Sequence, residues 1–113
     1  MELDEKYVFH IPLSKYTGEE LICIKMDGLI DELIDDFTEN SYENLYMIKA
    51  KGFYKSRSYK EILITIFTSP NEKTGHLSPD EIFKDWFKRN NHILEQEEYA
   101  YELNNTLFIE KLS

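Results

Sequence analysis

Residues 62–67, Ile62-Leu63-Ile64-Thr65-Ile66-Phe67, carry an apolar or β-branched side chain at every position. A run of this length is too short to span a membrane and is typical of a strand inside a sheet that is covered on both faces. We therefore predict a central strand over residues 59–68. A second strand, over residues 45–55, precedes it and is joined to it around Ser56-Arg57-Ser58.

One helix is predicted before these two strands in the chain, and another is predicted after them. The first starts at Asp27, which is placed to cap the first turn, and ends near Asn40. The second starts with a capping box, in which Ser78 is the N-cap, Pro79 the first helical residue and Glu81 the side chain that reaches back to the cap. The apolar stripes comprise Leu29, Ile30, Leu33, Ile34 and Phe37 in the first helix, and Ile82, Phe83, Trp86, Phe87 and Ile93 in the second.

Shorter strands are predicted near both ends of the chain. Residues 7–13 alternate large apolar side chains with smaller or polar ones, and residues 21–24 form a short strand after a turn over residues 15–20. Residues 99–103 and 106–109 form a hairpin, because the Asn residues between them tolerate the positive φ of a tight turn.

The order of these elements resembles the ferredoxin-like arrangement, βαββαβ, with a possible extra C-terminal hairpin strand. The resemblance implies an α+β fold in which two helices pack on one face of an antiparallel sheet. An exposed loop is expected over residues 69–77. Residues 1–113 are predicted to form a single domain.

The composition describes a soluble, acidic chain. Its 113 residues include 22 Asp and Glu against 13 Lys and Arg, a net charge of −9, and 42% of them are hydrophobic, which disfavours intrinsic disorder. There is no apolar run of membrane-spanning length and no basic signal-peptide start. A lone cysteine, Cys23, cannot form an internal disulfide, so we expect a cytoplasmic protein. The bias toward Ile, Lys, Asn and Tyr suggests a microbial or viral source.

No catalytic constellation is evident in the sequence. His10, His76 and His92 lack the spacing of metal ligands, and there is no glycine-rich phosphate loop. His10 and Cys23 could pair as base and thiol across neighbouring strands, but a buried, unreactive Cys23 is favoured. Glu98 and Glu102 share one strand face, where a solvated charged row is the simpler interpretation. The sequence therefore predicts no catalytic residue, no metal and no cofactor.

Charges are separated along the chain. Residues 27–39 contain six acids and no base, whereas residues 49–60 contain five bases and no acid. On the first helix, like charges lie four residues apart and repel one another: Asp31 and Asp35, and Glu32 and Asp36. Either these four acids form a solvated face that gives solubility and faces the basic hairpin across the fold, or they contact a cationic protein partner. The net charge disfavours direct binding of nucleic acid by the hairpin.

These features predict a small acidic binding protein without catalytic activity. It is expected to act as a homo-oligomer, because Leu63 and Phe67 point to the sheet face that two helices leave uncovered. The alternatives are an acidic inhibitor that imitates nucleic acid and binds a basic nucleic-acid-handling protein, and an enzyme of unrecognised type.

Overall fold

A computed structural model of the protein describes residues 2–17, 20–26, 28–69 and 77–112. Its elements are β1 (Glu5–Pro12), β2 (Ser14–Thr17), β3 (Glu20–Cys23), α1 (Leu29–Glu39), β4 (Leu45–Tyr54), β5 (Arg57–Thr68), α2 (Pro79–Leu94), β6 (Glu98–Leu103) and β7 (Thr106–Lys111). Five strands form an antiparallel sheet in the order β4-β5-β1-β6-β7, and β2 pairs with β3 alone. The predicted α+β class is confirmed. In the β2–β3 hairpin, β3 corresponds to the short strand predicted at residues 21–24, whereas β2 occupies part of the segment predicted as a turn over residues 15–20.

One face of the sheet is packed against both helices. Side chains alternate along β1, so Tyr7, Phe9 and Ile11 all point to this face, where each is buried. Ile62, Ile64 and Ile66 of β5 do the same. The helices add their apolar stripes to the same cluster, of which the largest fully buried members are Phe37, Phe83, Trp86 and Phe87.

Two tight hairpins set the strand register. Lys55 and Ser56 join β4 to β5 with φ of 50° and 64°, and Asn104 and Asn105 join β6 to β7 with φ of 49° and 71°. Both are two-residue turns, whose positive φ suits the twist of antiparallel strands. The second hairpin was predicted. In the first, Arg57 and Ser58 belong to β5, so the connection is shorter than the sequence suggested.

The helix starts differ in how they are capped. α1 begins after Gly28, whose φ of 75° is readily adopted by glycine. The predicted Asp27 cap lies outside the described residues, as does most of the predicted loop at 69–77. α2 begins with the predicted capping box, in which the backbone N–H of Ser78 donates to the Glu81 carboxylate at 3.1 Å. Within the described ranges, neither helix is long and apolar enough to cross a bilayer.

The opposite face of the sheet is open. His10 of β1 pairs with Leu63 of β5 and with Ala100 of β6, so these three side chains share that face. In the described part of the chain, both helices pack on the other side. The open face therefore presents its side chains to solvent or to a partner, and it carries the candidate site.

Candidate functional site

Three side chains from three strands meet on the open face. The imidazole of His10 lies between the carboxylates of Glu61 on β5 and Glu102 on β6. Its Nδ1 is 3.3 Å from each oxygen of Glu61, and its Nε2 is 2.7 Å from Oε2 of Glu102. The three side chains are partly buried, with exposures of 22% for His10, 13% for Glu61 and 32% for Glu102. We call this group the His10 cluster.

The geometry of the His10 cluster favours a protonated imidazole. An ionised carboxylate only accepts hydrogen bonds, and a neutral imidazole has one N–H donor and one lone pair. Both ring nitrogens face carboxylates, so both are satisfied only when both carry a proton. The pKa of His10 is accordingly raised above 6.5, first by the hydrogen bond with Glu61 and then by that with Glu102, while burial acts in the opposite direction.

The His10 cluster lies at the wall of a large open groove. His10 and Glu61 line a depression of about 1100 Å³ that runs between the β4–β5 hairpin and the segment following α2. Residues 95–98, which include Glu95, Glu97 and Glu98, supply negative charge on one side. Lys55, Arg57 and Lys60 supply positive charge on the other. The groove therefore suits a ligand that carries both charges.

Aromatic side chains line the hairpin side of the groove. Tyr59 lies on the same face of β5 as Glu61, since the two residues are two positions apart. Its ring covers Gly52 on β4, where a Cβ would overlap the ring. Glycine at this position thus leaves room for the tyrosine ring to lie flat against β4. Tyr54 also lines the groove and is exposed.

The four acids of α1 fall into two pairs. Glu32 and Asp36 accept from the guanidinium of Arg89 on α2, at 2.8 and 2.6 Å. Asp31 and Asp35 are exposed on the helix, and no ion pair of theirs occurs among the described residues. The positive group opposite the acids is therefore an arginine of the second helix, which the sequence analysis did not single out. Contact of these acids with a cationic partner stays a prediction.

The other predicted positions lie apart from the His10 cluster's hydrogen bonds. Leu63 and Phe67 are half-buried on the open face, as expected of them, and their role in self-association stays a prediction. Cys23 lies on β3 and is exposed, so the interpretation of a buried thiol is wrong. The partners of His10 are two glutamates rather than this thiol.

The His10 cluster was missed because its members are far apart in sequence. Glu61 lies 51 residues and Glu102 lies 92 residues from His10. The sequence does place Glu102 on one face of a strand, but only the register with β1 shows that this face carries His10. Within the described ranges, no group of His, Cys, Asp and Glu has the arrangement of a metal site.

Comparisons with known proteins gave one kind of match. No protein-family model and no curated protein matches the sequence. Among solved structures, a phage SAM lyase in its apo state matches with a TM-score of 0.62 and 12% identity, over 95% of this chain and 88% of that chain. A phage SAM lyase in complex with S-methyl-5′-thioadenosine matches with a TM-score of 0.63 and 11% identity, over the same shares.

These matches show the fold, and they correct the functional prediction. The sequence predicts a binding protein without catalytic activity, with an acidic inhibitor as an alternative. The solved structures that share the fold over nearly the whole chain are those of a lyase, which contradicts that prediction. The sequence misled because it contains no local motif that indicates catalysis, whereas the resemblance lies in the arrangement of strands and helices.

Proposed function

We propose that this protein is an enzyme that binds and cleaves S-adenosylmethionine (SAM), with the groove beside the His10 cluster as its active site. The observation that carries the proposal is the fold shared with a phage SAM lyase over 95% of this chain. Because a fold hosts many functions, the proposal also depends on the chemistry of the groove.

The charges of the groove match those of SAM. The ligand has a sulfonium, an ammonium, a carboxylate and an adenosine. Glu61 and Glu102 offer carboxylates to the ammonium, and the basic hairpin residues offer Lys55 and Arg57 to the carboxylate. Tyr59 offers an aromatic face on which a base can stack. Each of these groups lies in the groove or beside it.

The reaction itself limits where the carboxylates can act. When the bond between sulfur and the methionine γ-carbon breaks, its electron pair stays on sulfur and the sulfonium becomes the neutral thioether S-methyl-5′-thioadenosine. A carboxylate against the sulfur would stabilise the charged substrate more than the transition state, and so slow the reaction. We therefore assign Glu61 and Glu102 to the ammonium, whose charge does not change.

A lyase does not use water as the nucleophile. The electron pair that replaces the broken bond at the γ-carbon must therefore come from the substrate itself. Either the substrate's own carboxylate oxygen attacks it and closes a lactone, or the neighbouring carbon loses a proton to a base and an alkene forms. In both cases the groove contributes mainly by holding the amino-acid part of the substrate in one orientation. The mass of the second product distinguishes the two routes.

The test is the formation of S-methyl-5′-thioadenosine from SAM by the purified protein, followed by chromatography and mass spectrometry. SAM also decomposes without an enzyme, so the rate is compared with buffer alone. We expect product formation well above that background. Glu61→Gln should reduce it, whereas Glu32→Gln, a carboxylate on α1 that pairs with Arg89, should not. A wild-type rate equal to the buffer rate would overturn the proposal.

Self-association through the open face is a second part of the proposal. Leu63 and Phe67 lie there beside Tyr46 and Ile48, which are 49% and 51% exposed. A second copy would remove this apolar surface from water. Analytical ultracentrifugation at micromolar concentration should show a species heavier than the 13.5 kDa chain. Leu63→Asp should shift it toward the monomer, and a wild-type protein that is monomeric throughout would refute this part.

A ferredoxin-like topology and a cytoplasmic location complete the proposal. The topology is supported by the neighbour order β4-β5-β1-β6 and by one helix following β1 and one following β5. The location is supported by the single cysteine, since a secreted domain of this size commonly contains disulfides.

A further inference from the structure

We propose that His10 is a built-in cation that occupies the two carboxylates in the absence of ligand, and that the ammonium of a bound SAM-type ligand takes its place while the imidazole releases a proton to solvent. The inference rests on the proposed function, because it concerns the same groove. In this inference the His10 imidazolium competes with the ligand's ammonium for the two carboxylates. Ligand binding therefore depends on pH.

Both carboxylates of the His10 cluster are already occupied by the imidazole. Glu61 presents both of its oxygens to Nδ1 of His10, and Glu102 presents one oxygen to Nε2. An incoming ammonium must therefore approach carboxylates that already hold a positive partner. The two carboxylates and one imidazolium carry a net charge of −1, so the site still attracts a cation.

When a cationic ligand binds, one of the neighbouring positive groups must lose its charge. An ammonium within hydrogen-bond reach of Glu61 or Glu102 stands next to the imidazolium, and the two positive charges repel each other. A sulfonium has no proton to lose, and an α-ammonium ordinarily holds its proton more strongly than an imidazolium does. Histidine titrates near neutral pH, so the imidazole is the group that loses its charge at least cost.

Few other groups near His10 can release a proton when the ligand binds. On the open face, β5 presents Glu61 and Tyr59 near His10, and β6 presents Glu98 and Glu102. On β1 itself, the neighbours on this face are Val8 and Pro12, which do not titrate. Among the cations that line the groove, Lys55, Arg57 and Lys60 lie on the hairpin side. Lys15 on β2 lies on the other side and forms an ion pair with Glu95 at 2.8 Å.

The raised pKa of His10 is consistent with this arrangement. Its cause is the pair of carboxylates, Glu61 first, so anything that occupies those carboxylates removes the cause. Ligand binding and proton binding at His10 are then linked and must oppose each other equally. A ligand that lacks the positive groups should leave the imidazole unaffected.

The test follows the side-chain nitrogens of ¹⁵N-labelled protein by NMR from about pH 5.5 to 8.5, the range around the ordinary pKa of histidine. Two ligands are compared: sinefungin, a cationic SAM analogue that cannot be cleaved, and neutral S-methyl-5′-thioadenosine. We expect saturating sinefungin to lower the His10 pKa by about one unit, which corresponds to about tenfold tighter binding to the deprotonated protein. S-Methyl-5′-thioadenosine should leave that pKa unchanged, and His92 serves as the internal reference.

Each other outcome overturns a different statement. If sinefungin binds and the His10 pKa stays the same or rises, the displacement is wrong and the proposed function stands. If neither ligand binds, the proposed function is wrong and the inference falls with it. His10→Gln should bind sinefungin equally well at pH 6 and pH 8, whereas the wild type binds more tightly at the higher pH. If that variant fails to fold, the wild-type titration alone decides.

Discussion

The two faces of the sheet differ in what fixes their side chains. On the helix-covered face, Phe9 packs with its ring centroid 5.4 Å from that of Phe37 and 4.7 Å from that of Phe83. On the open face, His10 is held by charge, between Glu61 and Glu102. The covered face therefore determines whether the chain folds, while the open face can be changed with smaller consequences for stability. A site is expected on the second kind of surface.

The comparison is tested most strongly by truncating one core ring. Phe83 is fully buried at the contact of α2 with the sheet. Phe83→Ala should lower the free energy of unfolding by about 3–5 kcal/mol, since it removes apolar contacts and leaves a cavity. Leu107→Ala, at a 55% exposed position of the open face, should change it by no more than about 0.5 kcal/mol. Urea denaturation measures both, and equal losses would refute the distinction between the faces.

The covered face is also the part of the molecule that the sequence predicts well. The stripe of α1 and the alternation in β1 are local patterns, and burial of Leu33, Phe37 and Phe9 follows from them. The His10 cluster depends on the register of β1 with β5 and β6. No local pattern encodes that register, because it is set by the packing of the whole sheet. The non-catalytic prediction was corrected by a similarity of the whole fold to solved structures rather than by any motif.

The second prediction concerns the charge that holds the open face. His10→Gln should lower the free energy of unfolding by about 1–3 kcal/mol at pH 6, the range for hydrogen bonds to charged groups. Because the carboxylates raise the pKa of His10 above its unfolded value of 6.5, its contribution is complete below that pH. The contribution is lost as the pH rises through the folded pKa, so the deficit of the variant should shrink toward pH 8.5.

Urea midpoints at several pH values between about 5.5 and 8.5 measure this difference around the titration of histidine. His92→Gln, at an exposed position of α2, is the matched loss of a histidine. A deficit of His10→Gln that is constant with pH would mean that His10 contributes by packing alone. In that case the two faces would be held in the same way.

The third prediction concerns the capping box of α2 on the helix-covered side and its contribution to the free energy of unfolding. Ser78 and Glu81 form the capping box of α2, the helix that supplies Phe83 and Trp86 to the core. Ser78→Ala should cost about 0.5–2 kcal/mol, because an N-terminal backbone N–H of the helix loses its acceptor. Ser78→Gly should cost less. An unchanged urea midpoint with an unchanged slope would show that the cap does not stabilise the helix.

The smallest expected effect separates the two acid pairs of α1. Glu32 and Asp36 hold Arg89 across the two helices, and Arg89 is half-exposed. Exposed ion pairs contribute little, so the double variant Glu32→Gln with Asp36→Asn should lose at most about 1 kcal/mol. The matched variant, Asp31→Asn with Asp35→Asn, removes the same charge from positions that form no such pair within the described ranges. It should leave the stability equal or slightly higher, because like charges four residues apart repel.

Salt provides an independent check on these opposite signs. Salt screens exposed charges, so the difference between the two double variants should narrow as the ionic strength rises. If the basic hairpin rather than Arg89 balanced the acids, both variants would lose stability to a similar extent and both losses would shrink in salt. If instead Asp31 and Asp35 contact a cationic partner, their neutralisation should slow association while leaving the fold intact. The two readouts, stability and association rate, thus assign the paired acids to the fold and the unpaired acids to the surface.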